Sequence, residues 1–360
     1  MRTVFIIGAG ASYEVELPLG NELPGQIVEV QNFEKHNPEN REYHYETRIL
    51  NDALEAHCRR SPRNSGDYQA YGRKCRTVCG LISRAMPGTK SIDNYIDTRT
   101  DDGSREEFEL ICKLAIICTI LKAERDCRLI KRGNPLDTNL NYGNFGNTWF
   151  VPFGQLLIEN CTVEQLHERL KTVTLIIFNY DRCVEHFLLQ YFRDQYHIDD
   201  EEAAELLGSM QIFHPYGTVG QLPPMGGDES VTFGASVGFD ELLELVGQIK
   251  TFSEGTDKSS SNIVPIHDSI ADADHLVFLG FAFHKMNLEL LTPITFPPSR
   301  ESRHPIFLGT ALGVPDTETP LIIKNLRPIA GVFDPTFQLK DLDCRQFFDK
   351  SPQILGKFFE

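Results

Sequence analysis

The sequence predicts an α/β fold: a doubly wound, mostly parallel Rossmann-like sheet carrying a mostly helical insertion. Three observations predict it. Short β-branched and aromatic runs recur, namely TVFIIG (Thr3–Gly8), VTLIIF (Val173–Phe178), QIFH (Gln211–His214), LVFLGF (Leu276–Phe281) and PIFLG (Pro305–Gly309). Brief apolar runs of this kind suit strands buried on both faces of a parallel sheet. Helical patterns separate several of them, as α/β alternation requires. Residues 31 to about 150, in contrast, are poor in strand runs and rich in charge and cysteine.

The first strand runs straight into Gly8-Ala9-Gly10-Ala11-Ser12. Glycine permits positive φ and close approach of a ligand, and N–H groups at a following helix N-terminus suit a pyrophosphate. Ser12 would cap that helix or bond a phosphate oxygen. A generic strand-to-helix turn explains the same residues, because Tyr13 breaks a full G-x-G-x-x-G.

The insertion, 31–149, follows. EKHNPENREYHYETRILNDALEAH (Glu34–His57) and SREEFELICKLAIICTILKAERD (Ser104–Asp126) look helical. LICKLAIICTIL (Leu110–Leu121) is interrupted by Lys113 and is too short to span a membrane, so it reads as a buried helix. NPLDTNLNYGNFGN (Asn134–Asn147) reads as the loop that returns the chain to the sheet. The expected organisation is thus 1–30 with 150–360 as the α/β domain and 31–149 as a helical insertion.

Beyond the second strand, RCVEHFLLQYF (Arg182–Phe192) puts Val184, Phe187, Leu188 and Tyr191 on one helical face. FDELLELVGQI (Phe239–Ile249) does much the same, and GTDKSSSN (Gly255–Asn262) reads as a polar, mobile loop. Residues from about 315 onward read as a sheet edge and a closing helix.

The composition narrows the function. The chain has 360 residues, 41% of them hydrophobic, and a formal net charge of −16. Such a charge repels phosphate backbones, so direct nucleic-acid binding is not expected. The nine cysteines form no C-x-x-C pair, and their spacing suggests neither a zinc site nor a disulfide framework. Reduced thiols in a cytoplasm are the simplest expectation. Arg2 precedes an apolar run that stops at Gly8, too short for a signal-peptide core.

Ligands of open α/β sheets bind outside the carboxyl ends of the strands. There lie Asn179 and Asp181, in FNYDR (Phe178–Arg182), and His214, in HPYG (His214–Gly217). Asp181 equally suits a helix cap, and His214 either a general base or a structural histidine. LGFAFHKMNLELL (Leu279–Leu291) ends a strand at Gly280 and starts a helix after about Asn287, which could reach a ribose hydroxyl.

Taken in order, these segments resemble the sirtuin-like fold. That family shows a G-A-G-x-S loop, an Asn-x-Asp motif after a central strand, a His followed closely by Gly, and a late glycine-containing strand–loop. Here the matching residues are Gly8 to Ser12, Asn179-Tyr180-Asp181, His214 with Gly217, and Gly280 with Asn287. SIDNYID (Ser91–Asp97) and LPLGNEL (Leu17–Leu23) resemble further stretches of bacterial members. The four zinc cysteines of deacylase sirtuins are missing, since no cysteine lies between Cys183 and Cys344, and Pro215 and Tyr216 stand between His214 and Gly217.

What remains is similar to the bacterial branch that hydrolyses NAD+, often in anti-phage defence. The resemblance implies NAD+ as substrate and no metal. Gly8, Ala9, Gly10, Ala11 and Ser12 would anchor the pyrophosphate, with Gly217, Gly280 and Asn287 also on the nucleotide. Asn179 would orient ribose or water, His214 would accept a proton, and Asp181 would orient them. It implies activity gated by assembly, a homo-oligomer, and a ring-forming ATPase as partner. Binding of NAD or an ADP-ribose derivative without turnover, ADP-ribosyl transfer, and a structural subunit are the alternatives.

Overall fold

A computed structural model describes residues 1–31, 45–61, 67–89, 92–97, 105–130, 140–227, 230–257, 262–298, 304–332 and 335–359. Six strands form one sheet: β1 (Thr3–Ile7), β2 (Val173–Ile177), β3 (Gln211–Phe213), β4 (His275–Leu279), β5 (Ile306–Thr310) and β6 (Thr336–Lys340). Their order is β3-β2-β1-β4-β5-β6, and every pairing is parallel. The order reverses between β1 and β4, which makes their carboxyl ends the topological switch point of a doubly wound sheet.

The register levels the ends of the central strands. Ile7 pairs with Ile177 on one side and Leu279 on the other, so Gly8, Phe178 and Gly280 leave the sheet side by side. Side chains alternate between the two faces. Val4, Ile6, Ile176, Phe278 and Phe307 share one core with the helices Tyr45–Arg60, Tyr68–Ala85 and Arg105–Asp126. Phe5, Ile7, Leu175, Ile177 and Val277 enter the other, with Phe150, Phe153 and Phe187.

The helix Arg105–Asp126 is buried through most of its length, including Ile111, Cys112 and Leu114 to Leu121. A helix apolar all round belongs inside a protein. Lys113 is buried there too, and it is neutralised by Glu109 at 2.7 Å and Glu254 at 2.9 Å. Among the described residues, no helix is long and apolar enough to cross a membrane.

Several element boundaries differ from the sequence reading. β3 ends at Phe213, so His214 is the first residue beyond the strand. The helix from Phe239 stops at Leu245 and tightens into a 3₁₀ turn, Val246–Gln248, because Ile249 must extend to bridge Gly217. The last segment of the site begins its helix at Lys285, so Asn287 lies inside the helix rather than before it. Ser12 likewise lies inside the short helix Ala9–Tyr13, whose N-cap is Gly8, and so does not cap it. The chain from 315 onward forms the helix Thr319–Ala330, the edge strand β6 and the closing helix Cys344–Lys350. Residues 34–44, Ser91, Ser104, 134–139 and 258–261 of the quoted segments lie outside the described residues.

Candidate functional site at the carboxyl ends of the strands

The glycine turn after β1 is packed against the turn after β4. A Cβ on Gly8 would lie 2.5 Å from the Gly280 carbonyl oxygen, and one on Gly10 would lie 2.9 Å from Gly280 Cα. Gly280 has φ +57°, and a Cβ there would drive into the Ala11 amide. The three glycines therefore let two backbones touch at the switch point.

The amides of this turn are used within the protein. Gly8 N–H donates to Leu279 O at 2.9 Å, Gly10 N–H to Gly280 O at 3.0 Å, and Ala11 N–H to Gly8 O at 3.0 Å. The Gly8 and Gly10 donors thus join the end of β1 to the end of β4, and the Ala11 donor closes the turn on itself. Ala11 is further fixed through its carbonyl, which accepts from Trp149 Nε1 at 2.9 Å. Glu14, just past the turn, accepts from the amides of Trp149 and Arg345, and burial pushes its carboxyl up to about 7.

Ser12 faces the end of β2. Its hydroxyl donates to Asp181 Oδ1 at 3.1 Å and accepts from Asn179 Nδ2 at 2.9 Å. All three side chains are buried. Asp181 Oδ1 also accepts from the Cys183 N–H at 3.1 Å, at the start of the helix Cys183–Tyr196. Asp181 thus serves both the helix start and the cluster. Burial first, then the charges of Glu124 and Glu185, raise its carboxyl above the usual value, while the Cys183 amide opposes the shift.

His214 joins the same cluster from β3. Nδ1 lies 3.1 Å from the Asn179 carbonyl and Nε2 lies 2.6 Å from Glu185 Oε1. Burial works against a charged ring, but the Glu185 carboxylate, the Asn179 carbonyl and Asp181 outweigh it and raise the ring above its ordinary value. Gly217 donates its N–H to the His214 carbonyl at 3.0 Å, with φ +75°, in a turn that a Cβ would drive into the Gln248 carbonyl.

Asn287 sits further round, where its Oδ1 accepts from the Tyr216 hydroxyl at 2.7 Å. Phe178, Tyr216 and Phe281 pack edge to face beneath this link. Phe283 in the β4 loop has φ +53°, a conformation that bulky residues rarely hold unless their surroundings enforce it.

The structure thus links Ser12, Asn179, Asp181 and His214 in one hydrogen-bonded cluster and seats Gly8, Gly10 and Gly280 beside it. Asn287 and Gly217 flank the cluster from the β4 and β3 sides, and Ala9 opens the short helix. The sequence reading missed Glu185, the third residue of a helix that leaves a strand's carboxyl end and so points its first turn at the crevice. It also missed Arg182, which is buried and bonded to Glu124 of the insertion helix at 2.5 Å.

A cavity of about 490 Å³ opens at the carboxyl ends of β5 and β6, lined by Ala311, Thr319, Lys324, Arg327 and Asp341 among others. None of its lining residues belongs to the cluster, but Thr310, next to Ala311, accepts the Gly280 N–H on its hydroxyl at 2.9 Å. Among the described residues, no group of three or more His, Cys, Asp or Glu side chains could hold a metal. Compared with known proteins, the chain matches no family model and no curated protein.

Proposed function

We propose that this protein is a sirtuin-like NAD+ glycohydrolase, cleaving NAD+ to nicotinamide and ADP-ribose. One observation carries the reading: Ser12, Asn179, Asp181 and His214, from three separate strand ends, meet in one buried cluster beside the glycine contact of a doubly wound sheet. Polar residues so far apart in sequence gain nothing for a core by converging at a strand-end crevice, where such sheets bind ligands.

The bond to nicotinamide breaks through an oxocarbenium-like state, as other glycosidic bonds do. The leaving group departs neutral, so positioning of ribose and water matters more than a strong acid. Asn179 is the orienting side chain, held by Ser12. NAD+ is the substrate, and the chemistry assigned here uses no metal. With the turn amides engaged, Lys324 and Arg327 of the β5–β6 cavity supply positive charge for phosphates on the same sheet edge. β2 and β6 stand four strand spacings apart, roughly 19 Å, a span for an elongated ligand. Depletion of NAD+ in phage defence, a homo-oligomer, gating by a ring-forming ATPase and a cytoplasmic setting belong to the same reading.

Binding of NAD or an ADP-ribose derivative without turnover is the second reading. Both nitrogens of His214 are already engaged, which favours it. NAD+ consumption with separated products decides between them. Wild type should release nicotinamide and ADP-ribose, and Asn179→Ala and His214→Ala should each lose on the order of 10²-fold or more in rate. Saturable NAD+ binding with no product from wild type would select the second reading, and unaltered turnover in both variants would sink the first.

A further inference from the structure

His214 has an acceptor at each ring nitrogen: the Asn179 carbonyl at Nδ1 and the Glu185 carboxylate at Nε2. A neutral imidazole carries one N–H and can donate to one of them only. The pair is nearly closed to water, with side-chain exposures of 10% for His214 and 9% for Glu185. Glu185 Oε2 is buried and has no hydrogen-bond partner among the described residues. A buried carboxylate in that state needs a counter-charge, and His214 is bonded to it.

We propose that Glu185 is a positioning residue that keeps His214 as a buried imidazolium, so that the ring clamps the ends of β2 and β3 together instead of accepting a proton from a ligand. The clamp acts on the Asn179 carbonyl and leaves the Asn179 side chain to Ser12 and to whatever occupies the crevice. Two acidic groups face the ring: Glu185 from the helix Cys183–Tyr196, and Asp181 from the turn after β2. Arg182, just before the helix that carries Glu185, is neutralised by Glu124. The direction of the shift at His214 agrees with this arrangement.

The clamp has a pH signature. The folded-state value of His214 lies above its unfolded value, so the stabilisation is fully present below the ordinary histidine value and is lost as pH rises through the raised one. The kinetic part of the inference rests on the glycohydrolase reading; the ion pair does not.

The test is a nitrogen-15 NMR titration of ring nitrogens in full-length, histidine-labelled protein, with His214→Asn to assign the signal and Glu185→Gln as the probe. The expected result is a wild-type His214 protonated on both nitrogens at neutral pH, and a Glu185→Gln ring that is neutral there. A singly protonated His214 in wild type at neutral pH would overturn the proposal, and so would an unchanged titration in Glu185→Gln. The wild-type titration decides even if the variant fails to fold. In parallel, the turnover number of wild type should fall as pH rises through the measured His214 value. A proton-accepting histidine gives the reverse slope and would also overturn it. Absence of turnover in wild type would count against the glycohydrolase reading, while the ring nitrogens would still decide the ion pair.

Discussion

Glu124 and Arg182 show how a single pair of residues ties the insertion to the site. Glu124 is fully buried and accepts from Arg182 N at 3.1 Å, Nε at 3.0 Å and Nη2 at 2.5 Å, and from Gly234 N at 3.0 Å. Arg182 spends its remaining reach on the carbonyls of Val231 and Thr232. Glu124→Gln should destabilise the protein by about 3–5 kcal/mol, because it strands a buried guanidinium. Equilibrium denaturation measures it. The double variant Glu124→Leu/Arg182→Met should recover most of the loss, since removing both charges removes the desolvation cost as well. A double variant as unstable as the single one would show that geometry, and not charge, governs this junction. At this scale the sequence was readable where a motif is local. Asn179 and Asp181 stand out in a five-residue stretch, whereas Glu124 and Arg182 are 58 residues apart and only the fold brings them together.

The elements at the switch point explain both what was legible and what was not. A strand ending in Gly-x-Gly announces a close backbone approach, and the sequence cannot say whether a ligand or another strand approaches. Here the turn after β4 does, with Gly280 O accepting from Gly10. The strand runs themselves were clear, because a run apolar on both faces has no other place to go. Helix starts were less so: the helix that holds Asn287 begins two residues earlier, at Lys285, and buries Leu288, Leu290 and Leu291. Two glycines separate conformation from space. Gly280 has φ +57° and is crowded by backbone, whereas Gly313 has φ +73° with nothing within 4 Å. Gly313→Ala should cost about 1–2 kcal/mol, the strain of the left-handed conformation alone. Gly280→Ala should cost clearly more, or prevent folding, since the Ala11 amide cannot move without parting β1 from β4. Thermal or denaturant unfolding of both variants checks the order, and equal losses would contradict the packing account.

At the scale of the whole molecule, helices of the segment read as an insertion, 31–149, share a core with one sheet face. Leu50, Cys75 and Ile111 lie in the same cluster as Val4, Ile6, Ile176 and Phe278. The opposite face packs against Trp149, Phe150, Phe153 and Phe187. β1 to β5 each contribute to both clusters by simple alternation, whereas β6 gives Phe337 and Leu339 to the first only, so the sheet joins the two layers. Chains of this length commonly unfold in steps. This one should not: the insertion helices pack on one another and on the helix Phe239–Leu245, and they share one apolar cluster with the strands and with the helices Ile263–Asp272 and Thr319–Ala330. Trp149 is the single tryptophan, ends the insertion segment and sits in the layer opposite the helices Tyr45–Arg60, Tyr68–Ala85 and Arg105–Asp126, fully buried and bonded to the Ala11 carbonyl. Its fluorescence therefore reports that layer, while the far-ultraviolet circular dichroism is weighted by helices that include the insertion. The two signals should trace one denaturation curve with a common midpoint. A helical transition that precedes the tryptophan transition would mean that the insertion melts from an intact sheet. The link from Glu124 to Arg182 would then fail to bind the two layers into one cooperative structure.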